Sequence, residues 1–171
     1  CDWSSDVCSS DLSQKAIDMI MEFENDPDDY SSNPEWPGEN SGITIGFGWD
    51  LGHTPAEATT AAWSKHLSEK DLDALLRTSG KRGPYAKELL SSVFRINISY
   101  AAAEAVFKDV TIPTWIVRTL RIYPQAEALH PDCLGALVSL VFNRGTDLKG
   151  DRRIEMLEIQ EALRDKKEGR I

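Results

Sequence analysis

One short segment limits the fold more than any other part of the chain. Residues 43–52, with the sequence ITIGFGWDLG, are rich in β-branched and aromatic residues, a composition typical of a β-strand. Most of the remaining sequence has either the apolar spacing of helices or the Pro, Gly and Asn content of loops. The order is therefore a helix, a small β-region and then many helices, which predicts an α+β protein with segregated elements.

Start and stop signals place the helices around this segment. Ser13 precedes the apolar pattern of SQKAIDMIMEFEND and is the predicted N-cap of the first helix, which Pro27 ends. Ser68 opens a later helix, and Gly80 closes it. Pro113 divides the long middle stretch, because proline inside a helix removes a hydrogen bond and clashes with the preceding turn.

Composition excludes several classes of protein. The chain has 171 residues, of which 41% are hydrophobic, and this length predicts one globular domain with a core of its own, in one or two lobes. It contains no apolar run of the roughly 18 residues that a membrane span needs. The formal net charge of −9 argues against nucleic-acid binding, which depends on Lys and Arg that neutralise phosphates.

The two ends differ in pattern from the rest of the chain. Residues 1–12, CDWSSDVCSSDL, are polar and lack the basic start and apolar run of a signal peptide. They resemble a translated sequencing adapter, so we expect a non-native or disordered tail there and a catalytic domain over residues 13–171. The charged helical pattern at the C-terminus lacks a cap, which predicts that the domain is cut short.

Alternation sorts the side chains of the β-segment onto two faces. One face is wholly apolar and suited to packing: Ile43, Ile45, Phe47 and Trp49. The other carries a hydroxyl and a carboxylate separated by two glycines: Thr44, Gly46, Gly48 and Asp50. A straight strand would place Thr44 and Asp50 roughly 20 Å apart, so they act together only if the chain bends at a glycine. The alternative is a hairpin with a solvated Asp50.

Glu24 is the candidate general acid. It ends the first helix beside the apolar Phe23, and apolar surroundings disfavour the charged form of a carboxyl group. Glu22 lies two residues away and points elsewhere on the helix. The alternative for either residue is an ordinary solvated glutamate.

Three segments carry a family resemblance: MEFENDPDDY, WPGENSGITIGFGWDLG and ALVSLVFNRG. Together they resemble the lysozyme-like muramidases of phage and of the bacteriocin pesticin. The resemblance implies that Glu24 is the acid and that Thr44 helps to hold the attacking water. Phage members place Asp or Cys six residues before that threonine, where this chain has Gly38. Pesticin-like members place Asp six residues after it, as Asp50 is, and Glu39 remains a second possibility.

The resemblance further implies a lysozyme-like fold and cleavage of bacterial peptidoglycan. Two carboxyl groups with a water between them fit inverting glycoside hydrolysis, so Glu24 would protonate the glycosidic oxygen while Asp50 and Thr44 activate water. We expect a monomer that acts at the bacterial cell wall and needs no metal or cofactor. The candidate substrate-binding residues are Asn143, Arg144 and Trp36. A non-catalytic wall-binding module on the same fold is the alternative function.

The sequence contains no convincing metal site. His53, His66 and His130 do not form the HExxH pattern of a zinc hydrolase. The acidic cluster over residues 26–29 lacks the full ligand spacing of an EF-hand loop. An enzyme of this composition would therefore rely on carboxyl groups.

Overall fold

The computed structural model describes residues 12–24 and 30–167, without the side chains of Glu24, Arg152, Lys166 and Lys167. Within these ranges the chain is mainly helical and has one small antiparallel sheet, which confirms the predicted α+β class. The main elements are α1 (Gln14–Glu24), β1 (Thr44–Ile45), β2 (Trp49–Asp50), α2 (Ala56–Trp63), α3 (Glu69–Leu76), α4 (Gly83–Val93), α5 (Tyr100–Val106), a π-helical turn (Phe107–Thr111), α6 (Ile112–Ile122), α7 (Pro131–Arg144) and α8 (Ile154–Lys167). Short 3-10 turns occur at Pro124–Ala128 and Asp151–Arg153.

The chain divides into two compact units. The hairpin unit is Glu24–Val110 and contains β1, β2 and the helices α2 to α5. The terminal unit combines Cys1–Phe23 with Thr111–Ile171. Among the described residues, no helix combines the length and apolar character needed to span a bilayer.

The core of the hairpin unit is built on the apolar face of the β-segment. Ile43 and Ile45 are fully buried, and Phe47 and Trp49 pack half-buried against the same cluster. Leu51, Trp63, Leu75 and Ile98 are among the fully buried side chains of that cluster. The predicted apolar face is therefore confirmed, because strand alternation turns Thr44 and Asp50 away from this core.

Ser68 acts as the predicted helix signal, whereas Pro113 does so only in part. The Ser68 hydroxyl accepts a hydrogen bond from the backbone N–H of Asp71 and caps α3. Pro113 lies in the first turn of α6, directly after the π-helical turn that separates it from α5. The backbone nevertheless stays helical from Tyr100 to Ile122, so proline, which cannot donate to the preceding turn, changes the type of helix there and does not split the stretch as predicted.

In the terminal unit, a side-chain hydrogen bond joins the start of α1 to the start of α7. The Ser13 hydroxyl accepts from the Ala16 backbone N–H as an N-cap and donates to the Asp132 carboxylate. This hydrogen bond is the main cause that lowers the pKa of Asp132. A side chain at Gly135 would overlap Ala16, so the two helices touch closely. Leu12, at the end of the predicted tail, is buried; residues 1–11 lie outside the described ranges.

A buried tyrosine joins two other helices of the terminal unit. Tyr123 is fully buried, and its hydroxyl donates a 3.0 Å hydrogen bond to the Met156 carbonyl of α8. Burial raises the pKa of this phenol above its ordinary value. Gln160 donates from its side-chain amide to the Ile122 carbonyl at the end of α6. Two side-chain hydrogen bonds to helix carbonyls thus link α8 to the end of α6.

Candidate functional site

The β-segment forms a hairpin whose turn runs from Gly46 to Gly48. Gly46 and Gly48 both have positive φ, +53° and +73°, a conformation that glycine adopts without steric cost. The reversal pairs Thr44 with Asp50 and Ile45 with Trp49. The chain therefore bends at its glycines, which is the condition that the sequence analysis set for Thr44 and Asp50 to lie close together.

Thr44 and Asp50 form the closer type of cross-strand pair. The Leu51 backbone N–H donates to the Ile43 carbonyl at 2.9 Å, just outside the pair. Thr44 and Asp50 are therefore the non-hydrogen-bonded pair, with Cα atoms about 4.5 Å apart and side chains on one face. The Thr44 side chain is half-buried, and its hydroxyl has no hydrogen-bond partner among the residues that the structure describes. A small molecule at this face could bond to it.

The Asp50 carboxylate is held by the backbone. Its Oδ1 accepts from the N–H of Gly52 at 2.7 Å and from the N–H of Gly42 at 3.1 Å, and Oδ2 lies 3.2 Å from the Gly42 nitrogen. A Cβ atom on Gly42 would overlap both Gly52 and this carboxylate. The hairpin of the alternative interpretation is therefore present, but its Asp50 is half-buried and bonded to the backbone and is not simply solvated.

Glu24 ends α1 as predicted, but its side chain lies outside what the structure describes. A shared cleft with Asp50 therefore stays a prediction. The Phe23 side chain, which the sequence argument used as an apolar neighbour, is 74% exposed. Glu22 is exposed as well. The assignment of Glu24 as the acid thus depends on its place at the helix end and on the family resemblance.

Trp36 is fixed in the loop before the hairpin. Its indole N–H donates to the Ser41 carbonyl at 3.1 Å, and the Lys87 ammonium lies 5.2 Å from the centre of its ring. The ring is half-buried, so one part of it is available for stacking. Glu39 lies at a turn with φ of +47° and is exposed. It is not among the residues paired with Thr44 or Asp50.

Comparison with known proteins adds a family. The family profile described as "Domain of unknown function (DUF8812)" matches residues 19–126, more than half of the chain. The chain belongs to this family. Glu24, Trp36, Thr44 and Asp50 all lie within the matched residues. The comparison with curated proteins found no match.

A carboxylate within the DUF8812 region was missed by the sequence analysis. Glu35 forms an antiparallel bridge with Thr44, in which each backbone N–H donates to the other residue's carbonyl, at 2.9 and 2.8 Å. The only local signal is that Pro34 and Pro37 lie on either side of Glu35 and favour extended backbone at Asn33 and Trp36, the residues directly before them. That signal predicts an extended segment but not its pairing partner.

Asn143 and Arg144 lie outside the DUF8812 match and belong to the terminal unit. Both are exposed at the end of α7, which Gly145 closes with φ of +75°. The Asn143 side-chain amide donates to the Ser139 carbonyl at 3.1 Å, one turn earlier in the same helix. This bond supports the helix end, and any contact of either residue with a substrate stays a prediction.

Across the described part of the DUF8812 chain, no group of three or more His, Cys, Asp or Glu side chains is arranged to hold a metal ion. The arrangement that does occur is a hydroxyl between carboxyl-bearing residues on the hairpin face. Such groups can orient a water molecule and accept its proton.

Proposed function

We propose that this protein is a lysozyme-like muramidase that hydrolyses the glycan strands of bacterial peptidoglycan. The observation that carries the proposal is the pairing of Thr44 with Asp50 across the hairpin. It turns a six-residue separation in sequence into adjacent side chains on one face, and the Thr44 hydroxyl there has no hydrogen-bond partner within the described part of the chain. The sequence resemblance supplies the substrate class and the acid.

In this mechanism Glu24 protonates the glycosidic oxygen as the sugar–oxygen bond breaks. A water molecule bonded to the Thr44 hydroxyl and to Asp50 attacks the anomeric carbon from the opposite side, which inverts the configuration. The two backbone amides that hold Asp50 fix the direction of its carboxylate. A fixed carboxylate loses little entropy when it binds the water, as the positioning of a reactant requires.

The experiment is hydrolysis of purified peptidoglycan, followed by loss of turbidity and by release of reducing ends. Glu24→Gln keeps the shape of the side chain but lacks the proton to donate, so we expect the rate to fall by roughly 10²–10⁴-fold. Glu22→Gln is the matched control and should retain the parent rate, because residues two apart on a helix point in different directions. Equal rates for Glu24→Gln and the parent would remove Glu24 from the mechanism.

A second candidate function is a non-catalytic module that binds the cell wall. It is favoured by the hydrogen bonds of Asp50, because a carboxylate that caps two backbone amides already has a structural role. A binding module would sediment with peptidoglycan and release no reducing ends. A parent protein that releases reducing ends, in a manner dependent on Glu24, would exclude this alternative.

A further inference from the structure

Glu35 lies on the same face of the hairpin as Thr44. The two residues exchange both of their backbone hydrogen bonds, Glu35 N–H to Thr44 O at 2.9 Å and Thr44 N–H to Glu35 O at 2.8 Å. In an antiparallel ladder such a pair has Cα atoms about 5.5 Å apart and side chains on one face. The Glu35 side chain therefore projects beside the Thr44 hydroxyl.

Thr44 is consequently the centre of a three-residue row, Glu35–Thr44–Asp50, which runs across the hairpin and its neighbouring segment. The two cross-strand spacings, about 5.5 and 4.5 Å, place the outer Cα atoms about 10 Å apart. A water molecule bonded to the Thr44 hydroxyl would lie between two carboxyl-bearing residues. The row belongs entirely to the hairpin unit.

The two carboxylates of the row differ in the hydrogen bonds that they already accept. Asp50 accepts hydrogen bonds from the backbone N–H groups of Gly42 and Gly52 and is half-buried. Glu35 is exposed and has no ion pair or side-chain hydrogen bond among the residues that the structure describes. Glu35 thus has all its lone pairs available to a proton, whereas those of Asp50 are partly engaged.

We propose that Glu35 is the catalytic base of the hydrolysis and that Asp50 is a positioning residue that keeps the hairpin and Thr44 in place. This inference rests on the proposed function. The water oxygen forms the new bond to the anomeric carbon while the glycosidic carbon–oxygen bond breaks. The leaving oxygen keeps that electron pair and takes the proton of Glu24. The proton lost by the water passes to Glu35, so the step needs no cofactor or further reactant.

The test compares Glu35→Gln with Glu88→Gln, in the whole protein, by the pH dependence of kcat/KM on purified peptidoglycan. Glu88 is an exposed glutamate on α4 of the same unit and serves as the matched control. A base must be ionised to act, so its protonation causes the fall in rate at acid pH. We expect Glu35→Gln to lose at least about 10²-fold in rate and to lose that acid limb. Glu88→Gln should match the parent.

Stability separates this role from a structural one. The backbone bonds between Glu35 and Thr44 do not involve the side chain, so the melting temperature of Glu35→Gln should stay close to that of the parent. Asp50→Asn should instead melt earlier and keep the acid limb in its remaining activity. A Glu35→Gln variant that melts much earlier, and keeps the acid limb, would show a structural role and overturn the assignment.

The possible failures can be told apart. If the parent hydrolyses peptidoglycan, Glu24→Gln does not, and Glu35→Gln retains the parent rate and pH profile, then the inference is wrong and the proposed function stands. If the parent releases no reducing ends, the proposed function is wrong and the role of Glu35 falls with it. An acid limb lost in Asp50→Asn but kept in Glu35→Gln would assign the base to Asp50.

Discussion

The hairpin and the end of α7 were both singled out by sequence as places where substrate is handled, yet they use their polar groups differently. In the hairpin, strand pairing sets Thr44 opposite Asp50 and leaves the Thr44 hydroxyl without a partner among the described residues. At the end of α7, the Asn143 amide bonds to a carbonyl of its own helix. Cross-strand pairing brings separate side chains together, whereas a helix end uses nearby polar groups to complete its own hydrogen bonds.

The largest expected effect comes from glycine substitutions in the two regions. Gly42→Ala places a methyl group against the Gly52 backbone and the Asp50 carboxylate, neither of which can move freely. We expect a loss of about 3 kcal/mol or more in the free energy of unfolding. Gly145→Ala at the end of α7 meets no atom within 4 Å and carries only a backbone cost of about 1–3 kcal/mol, because φ of +75° with ψ of −177° is a conformation that few residues other than glycine adopt. Urea unfolding of both variants measures the difference, and equal losses would contradict it.

The next effect in size is expected on the catalytic rate, and it again differs between the hairpin and the end of α7. Thr44→Val keeps the shape of the side chain and removes the hydroxyl, so we expect kcat to fall by about 10²-fold, as for the loss of one hydrogen bond to the reacting group. Asn143→Ala should leave kcat unchanged and act, if at all, on KM, because its predicted contact is with bound sugar. Kinetics on soluble peptidoglycan fragments separate the two constants. A fall in kcat for Asn143→Ala would place the helix end at the reacting bond.

The start of α7 should be more sensitive than its end. Ser13→Ala removes the N-cap of α1 and the hydrogen bond to Asp132, and we expect a loss of about 1 kcal/mol at neutral pH. The bond lowers the pKa of Asp132, so its contribution is present above the ordinary carboxyl pKa and is lost as pH falls through the lowered value. The difference in melting temperature between parent and variant should therefore shrink as pH falls below the ordinary carboxyl pKa, and the part that comes from the lost N-cap of α1 should remain. A difference of the same size at neutral pH and at pH 2 would contradict this cause.

The smallest effect at neutral pH is expected in the aromatic cluster behind the hairpin. Tyr30 packs edge-on against Phe47 and Tyr100, and donates to the Ile98 carbonyl at 2.8 Å. Burial, with a smaller effect of Tyr100, raises the pKa of Tyr30 to about 12. The folded state favours the neutral phenol, so its contribution to stability is full below pH 10 and is lost as pH rises through about 12.

Tyr30→Phe should therefore flatten the loss of stability between pH 10 and 12. Tyr85→Phe is the matched control, because Tyr85 is 53% exposed. Denaturant unfolding at pH 8, 10 and 11 gives the slopes. Equal slopes for parent and Tyr30→Phe would show that the buried phenol does not cause the pH dependence.

What the sequence could predict was local. Alternation is enough to assign Ile43 and Ile45 to the core, since it depends only on the geometry of an extended chain. The chain bends most readily at the glycines of the β-segment. The sequence could therefore state that Thr44 and Asp50 lie close together if the chain bends at one of them. Both predictions concern residues only a few positions apart, where the backbone permits few arrangements.

What the sequence could not predict was set by backbone contacts between separate segments. The pairing of Glu35 with Thr44 consists of main-chain hydrogen bonds, which any residue types can form. The N–H groups of Gly42 and Gly52 that bind Asp50 are also main-chain groups, although the close approach at these two positions leaves room only for glycine. Such partners leave no motif in the sequence. Asp50 could be named as a candidate beforehand, but neither its backbone partners nor the position of Glu35 beside Thr44 could be.

The close approach of Gly42 to Gly52 also makes the hairpin observable without any substrate. Both residues are buried, and both amide protons point at the Asp50 carboxylate. Such protons exchange with deuterium only when the surrounding structure opens. The exchange rates of these two amide protons, measured by NMR, therefore report how often the hairpin opens in the folded protein.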